Sequence, residues 1–65
     1  MQGEKASIFT TEQEEQLRNL KAHFPFRIVW GAVNADTGEF EAQATSDRRR
    51  LMKRLRAGWL VAIVG

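Results

Sequence analysis

The residues best suited to chemistry lie in one run, Arg48-Arg49-Arg50-Leu51-Met52-Lys53-Arg54-Leu55-Arg56. At about 100° per residue on a helix, Leu51, Met52 and Leu55 cluster on one side. Arg49, Arg50, Lys53, Arg54 and Arg56 spread over the other. Arg48 falls on the apolar side, but in the first turn, where a long side chain can snorkel past the core edge. Like charges are helical neighbours at 49/53, 50/54 and 53/56, which costs a helix roughly 0.2–0.5 kcal/mol per pair. Exposed helices usually mix signs; this face holds no acid. It suits a phosphate backbone, because each neutralised phosphate releases condensed counterion. Arginine's planar fork also matches phosphate or guanine bidentately. The expected function is that of a small non-catalytic binding protein, with DNA or RNA as partner and Arg49, Arg50, Lys53, Arg54 and Arg56 as contact residues.

Two plainer readings stand beside it. Charge runs are commonly solvated faces, and the acidic second strand and the Glu12–Glu15 turn could neutralise part of this one within the fold or a dimer. The same face could also steer the chain onto an acidic protein partner. A membrane-surface role is disfavoured, since the apolar side offers only Leu51, Met52 and Leu55 and the core needs them.

Catalysis finds little support. The chain has no cysteine and no tyrosine. Ser7 and Ser46 have no base in view, and no thiolate can hold a metal. Glu39 and Glu41 share a strand face through alternation alone, with nothing to push two pKa values apart. No glycine-rich phosphate loop is present. His23, the single histidine, reads as a cation favoured near a helix C-terminus. Trp30 and Trp59 could stack on bases, but each sits in an apolar strand and reads as core. No cofactor and no metal are expected.

The elements that must position the basic run are legible around Phe26-Arg27-Ile28-Val29-Trp30-Gly31-Ala32-Val33. This stretch is apolar on both parities, the pattern of a central strand. Before it, Thr10-Thr11-Glu12-Gln13-Glu14-Glu15 starts a helix, with a capping box at Thr10/Gln13 or Thr11/Glu14. Gln13, Leu17, Leu20 and Phe24 form its stripe, and Pro25 ends it. Asn34-Ala35-Asp36-Thr37-Gly38 is a turn with Gly38 at positive φ. Glu39 to Ala44 alternates strictly, as a half-buried edge strand does. Pairing Val33 with Glu39 sets Ala32 opposite Phe40, Trp30 opposite Ala42 and Ile28 opposite Ala44, large against small. Ser46 caps a second helix from Asp47 to Ala57, with Gly58 just beyond its end. Trp59 to Val64 is a last buried strand.

The expected fold class is α+β: a two-layer sandwich, α-β-β-α-β, with both helices on one face and a three-stranded sheet whose preferred order is 2-1-3, the alternative being a mixed sheet in order 1-2-3. The core is then Leu17, Leu20, Phe24, Phe26, Ile28, Trp30, Phe40, Leu51 and Leu55. The other sheet face exposes Arg27, Val29, Val33 and Leu60 as a partner or dimer surface. From it comes the alternative function, a protein-interaction module such as a small inhibitor or assembly subunit. A homodimer through that face, or through a sheet edge, is expected. A chain of 65 residues makes one domain with a marginal core. Residues 1–9 read as a flexible N-terminal segment and 10–65 as the domain. Met1 to Lys5 shows no secretory signal, and the run Trp59 to Val64 is far short of the roughly 20 apolar residues of a membrane helix. A cytoplasmic protein is expected.

Overall fold

Thr10 opens the chain's regular structure. Its Oγ1 accepts from Gln13 N at 3.1 Å while Thr10 N donates to Gln13 Oε1 at 3.0 Å, a reciprocal capping box. This computed structural model describes residues 8–64. Its elements are α1 (Thr11–His23), β1 (Ile28–Val33), β2 (Phe40–Thr45), α2 (Arg49–Arg56) and β3 (Leu60–Ile63). The α-β-β-α-β order and the antiparallel sheet order β2-β1-β3 agree with the sequence expectation. The β1–β2 turn closes through Asn34, whose Oδ1 accepts from Asp36 N and Thr37 N at 2.9 and 3.2 Å. Gly38, at φ 81°, returns the chain into β2.

The helices do not share a face. The side chain of Leu17 from α1 lies against Gly31, on the sheet face that also carries Val29, Val33 and Phe40. Leu51 from α2 packs on the opposite face with Trp30, Ala32, Ile28, Trp59 and Val61. The expected two-layer arrangement is therefore corrected to helix, sheet, helix. The reason lies in β1, whose two apolar parities each need cover.

The β1–β2 register also differs by one residue from the large-to-small pairing. Val33 opposes Phe40, Trp30 opposes Gln43 and Ala32 opposes Glu41. Glu41 is thereby turned toward α2, whose arginines receive it. Phe40, Ala42 and Ala44 face α1 instead, and Phe9 meets Phe40 edge to face at a ring separation of 5.7 Å.

Among the described residues the buried hydrophobic side chains are Leu17, Val29, Trp30, Ala32 and Leu51. Phe26, placed in the core by sequence, is 99% exposed, and Phe24 and Leu55 are about half exposed. Phe26 follows Pro25 in the turn before β1, outside the strand's alternation. Trp30 Nε1 is buried with no hydrogen-bond partner among the described residues, which costs about 1–3 kcal/mol against the gain from burying the ring. Of the segment 1–9 read as flexible, residues 1–7 lie outside those described. Phe9 packs against Phe40 and Gly31 and belongs with the domain.

Candidate nucleic-acid interface on α2

The basic run does form a helix, but it begins later than the sequence suggests. Ser46 is not its cap. Arg48 holds the N-cap position without a side-chain capping bond, and Asp47 substitutes from one residue upstream, its Oδ1 accepting from Arg49 N at 3.0 Å. Thr45 Oγ1 in turn accepts from Asp47 N at 2.9 Å. At the other end Gly58 lies just past the helix, at φ 90°, as expected. Gly58 N donates to Leu55 O and Trp59 N to Arg54 O, at 3.1 and 3.0 Å. This paired pattern satisfies the last carbonyls and folds Trp59 back beneath Arg54.

That fold-back divides the predicted contact residues into two groups. Arg54 and Arg50 face β2. Arg54 Nε donates to Glu41 Oε1 at 2.6 Å and Arg50 Nη1 to Glu41 Oε2 at 2.9 Å. The Arg54 guanidinium also lies over the Trp59 ring, 4.6 Å from its centroid. Glu41 is 18% exposed and Arg54 30%, so the Arg54 arm of this clamp is mostly out of solvent, whereas Arg50 is 56% exposed. The clamp holds α2 to the strand it would otherwise not touch. Arg49, Lys53 and Arg56 form the outward row. Arg49 is 92% exposed and binds Asp47 through both carboxylate oxygens. Lys53, Arg56 and also Arg48 are exposed and have no acidic partner among the described residues. Together with Met52 they border an open depression along the helix, which Arg50 and Arg54 also line.

Arg48, set on the apolar side by the helical wheel, stands exposed at the N-cap position, because the helix starts one residue after it. Neutralisation of part of the basic face by the acidic strand is thus seen at Glu41, although its alternation with Phe40 and Ala42 marks that residue as solvent-facing. The available signal was the i,i+4 spacing of Arg50 and Arg54, the span of one carboxylate.

The other predicted surface dissolves. Val29 is fully buried under α1, Val33 is half-buried, and only Arg27 and Leu60 remain exposed. Arg27 sits over the Phe24 ring at 5.6 Å, and its carbonyl accepts from Lys21 Nζ at 3.0 Å. The two residues lie apart and form no common patch: Arg27 precedes β1, whereas Leu60 pairs with the far end of β1 at Val33.

The clamp sets an acid limit on stability. Burial pushes the Glu41 carboxyl up, but the hydrogen bonds and charges of Arg54 and Arg50 outweigh it and hold the group below its ordinary value of 4.5. A depressed carboxylate stabilises the fold fully above the unfolded pKa and loses that contribution as pH falls through the folded value. The urea midpoint of the native protein is expected to fall on acidification below about 4.5. Glu41→Gln should start lower at neutral pH and lose less. Parallel titration curves for the two proteins would refute this.

Among the described residues no helix is long and apolar enough to cross a membrane. No family of proteins, no characterised protein and no solved structure matches this chain.

Proposed function

We propose that the protein is a non-catalytic nucleic-acid binder that contacts the phosphate backbone through Arg48, Arg49, Lys53 and Arg56. The observation that carries this reading is the outward row of α2. Its cations stand at neighbouring helical positions, exposed, and Lys53 and Arg56 are without an acid among the described residues. Holding like charges together costs helix stability, and α2 bears that cost although its N-cap residue, Arg48, makes no side-chain capping bond and only Asp47, one residue upstream, holds Arg49 N. Arg50 and Arg54 support the surface by clamping Glu41 rather than by reaching a ligand.

The test is titration of labelled single- and double-stranded DNA and RNA at several salt concentrations. Four phosphate contacts on duplex DNA correspond to a slope of roughly −3 to −4 in log affinity against log salt. Lys53→Glu/Arg56→Glu is expected to abolish binding while keeping the fold, because neither side chain is buried. Arg50→Glu/Arg54→Glu is a poor control, since it attacks the Glu41 clamp. Absence of binding at low salt, or an unchanged slope in the double variant, would remove this function.

A second reading, a protein-interaction module, keeps one supporting observation. The sheet face it first relied on is covered by α1, but apolar side chains remain exposed along β3.

A further inference from the structure

The two edges of the sheet are not alike. β2 alternates Phe40, Ala42 and Ala44 with Glu41, Gln43 and Thr45, whereas β3 reads Leu60-Val61-Ala62-Ile63, with no charge and no proline. Natural edge strands are usually blunted by charge, proline or a bulge. The backbone of β3 is also poised for pairing. Val64 N donates to Val29 O at 2.7 Å. Antiparallel pairs alternate between hydrogen-bonded and non-bonded, so Gly31/Ala62 and Val33/Leu60 are the bonded pairs with β1. The N–H and C=O groups of Val61 and Ile63 therefore point away from β1, toward an edge that no described strand occupies.

Apolar side chains flank this edge on both faces. Leu60, Ile63 and Val64 are 46%, 52% and 42% exposed. On the α2 face stand Met52 and Leu55, 43% and 47% exposed, on the side of the helix away from the Glu41 clamp. On the α1 face an open groove runs between Phe9, Leu17, Ala62 and Val64, with Glu14 and Arg18 of α1 also lining it. Half-exposed aliphatic side chains in this number leave on the order of 400 Å² of apolar surface, the size of patch that marks a binding site.

We infer that β3 pairs antiparallel with β3 of a second copy, joining the two sheets about a twofold axis at Ala62. Register selects this occupant. A twofold axis normal to the sheet keeps each residue on its own face, so opposed residues must share parity. Centring on Ala62 sets Val61 opposite the partner's Ile63 and Leu60 opposite the partner's Val64, apolar against apolar throughout. It also joins the outward groups of Val61 to those of the partner's Ile63, one bonded pair on each side of the axis. The α2 helices then flank the axis on one face, with Met52 and Leu55 turned toward their counterparts. Two such patches, with the backbone between them, approach the roughly 1,000 Å² in total that a specific interface needs. A short chain with a marginal core gains most from such association. This pairing does not rest on nucleic-acid binding, although it sets two basic rows on one surface.

The test combines light scattering over a wide concentration range, without nucleic acid, with residue-resolved amide exchange. A monomer–dimer equilibrium is expected, in which the Val61 and Ile63 amides become protected as the dimer forms. Ile63→Lys should weaken association about tenfold or more, because the dimer would bury an unpaired charge. Its circular dichroism should be unchanged, since Ile63 is 52% exposed in the monomer. Leu60→Lys, on the other face, serves if the first variant fails to fold. A chain monomeric at every concentration overturns the inference. So does a dimer whose Val61 and Ile63 amides exchange as an open edge, or one indifferent to both lysines.

Discussion

Gly31→Val is expected to lower the melting temperature by roughly 12–24 °C, as an overpacking penalty near 3 kcal/mol does in a domain of this size. Gly31 lies at the centre of β1 with ordinary negative φ, so backbone freedom is not its role. Space is. A Cβ at this position would stand 2.9 Å from Leu17 Cδ1, 3.0 Å from Phe9 Cζ and 3.1 Å from Leu17 Cδ2. Leu17 is 1% exposed and is the buried anchor of α1, so its methyls cannot withdraw unless α1 lifts from the sheet. Alanine adds only the Cβ and gains some strand propensity in return. Its net cost should be about 1 kcal/mol, while valine's two further methyls have no room. The mechanism is checked by a double-mutant cycle. In a Leu17→Ala background, Gly31→Ala should become neutral or stabilising, because the truncated side chain vacates the clash. A wild-type melting temperature for Gly31→Val, or an unchanged alanine penalty in that background, would show that α1 does not press on this strand.

The same contact shows where sequence reading stops. Local signals were reliable: the Thr10–Gln13 box, the turn at Asn34, the glycines at 38 and 58, and the central place of β1 all follow from residues within a few positions of one another. The preferred strand order 2-1-3 agrees too, with the two strands of two apolar parities as neighbours. The failures were cross-element. The apolar parity of β1 that carries Val29 and Val33 was read as an exposed surface, although two apolar parities are what a strand covered on both faces requires. That assumption then fixed the wrong register. With one face wet, Glu41 had to point outward; with α2 on that face, Arg50 and Arg54 meet it at 2.9 and 2.6 Å. Strand alternation cannot distinguish solvent from a basic helix, since both accept a carboxylate. The candidate site suffered the same way. Helical periodicity placed the cations on one side correctly. Only the neighbouring strand decides that Arg54 and Arg50 belong to the fold, and that Arg48 joins Lys53 and Arg56 outside it.

Leu51→Ala is expected to cost 2–4 kcal/mol, roughly half or more of the stability open to a chain of this length. It should also loosen α2 before the rest of the sheet. Leu51 is the one buried residue of that helix, 5% exposed. It joins Trp30 and Ala32 in the cluster beneath α2. Little else favours the helix. It spans Arg49–Arg56, its N-cap residue Arg48 makes no side-chain capping bond, Asp47 upstream holds only Arg49 N, and no acid lies in its first turn. Isolated helices of such length are unstable in water, so α2 depends on tertiary contacts. Those contacts are Leu51 and the clamp of Arg54 on Glu41 and Trp59. Leu55→Ala is the informative comparison. Leu55 is 47% exposed, and under conditions where the chain is monomeric its truncation should cost about 1 kcal/mol or less. Urea denaturation followed by circular dichroism, with amide exchange along α2, separates the two. Leu51→Ala should raise exchange in α2 well before β1 opens, and should weaken the proposed nucleic-acid binding although every cation is still present. Equal costs for Leu51→Ala and Leu55→Ala would mean that α2 is not seated on Trp30. Loss of α2 protection without loss of binding would mean that the cations act from an unfolded segment rather than from a helix face.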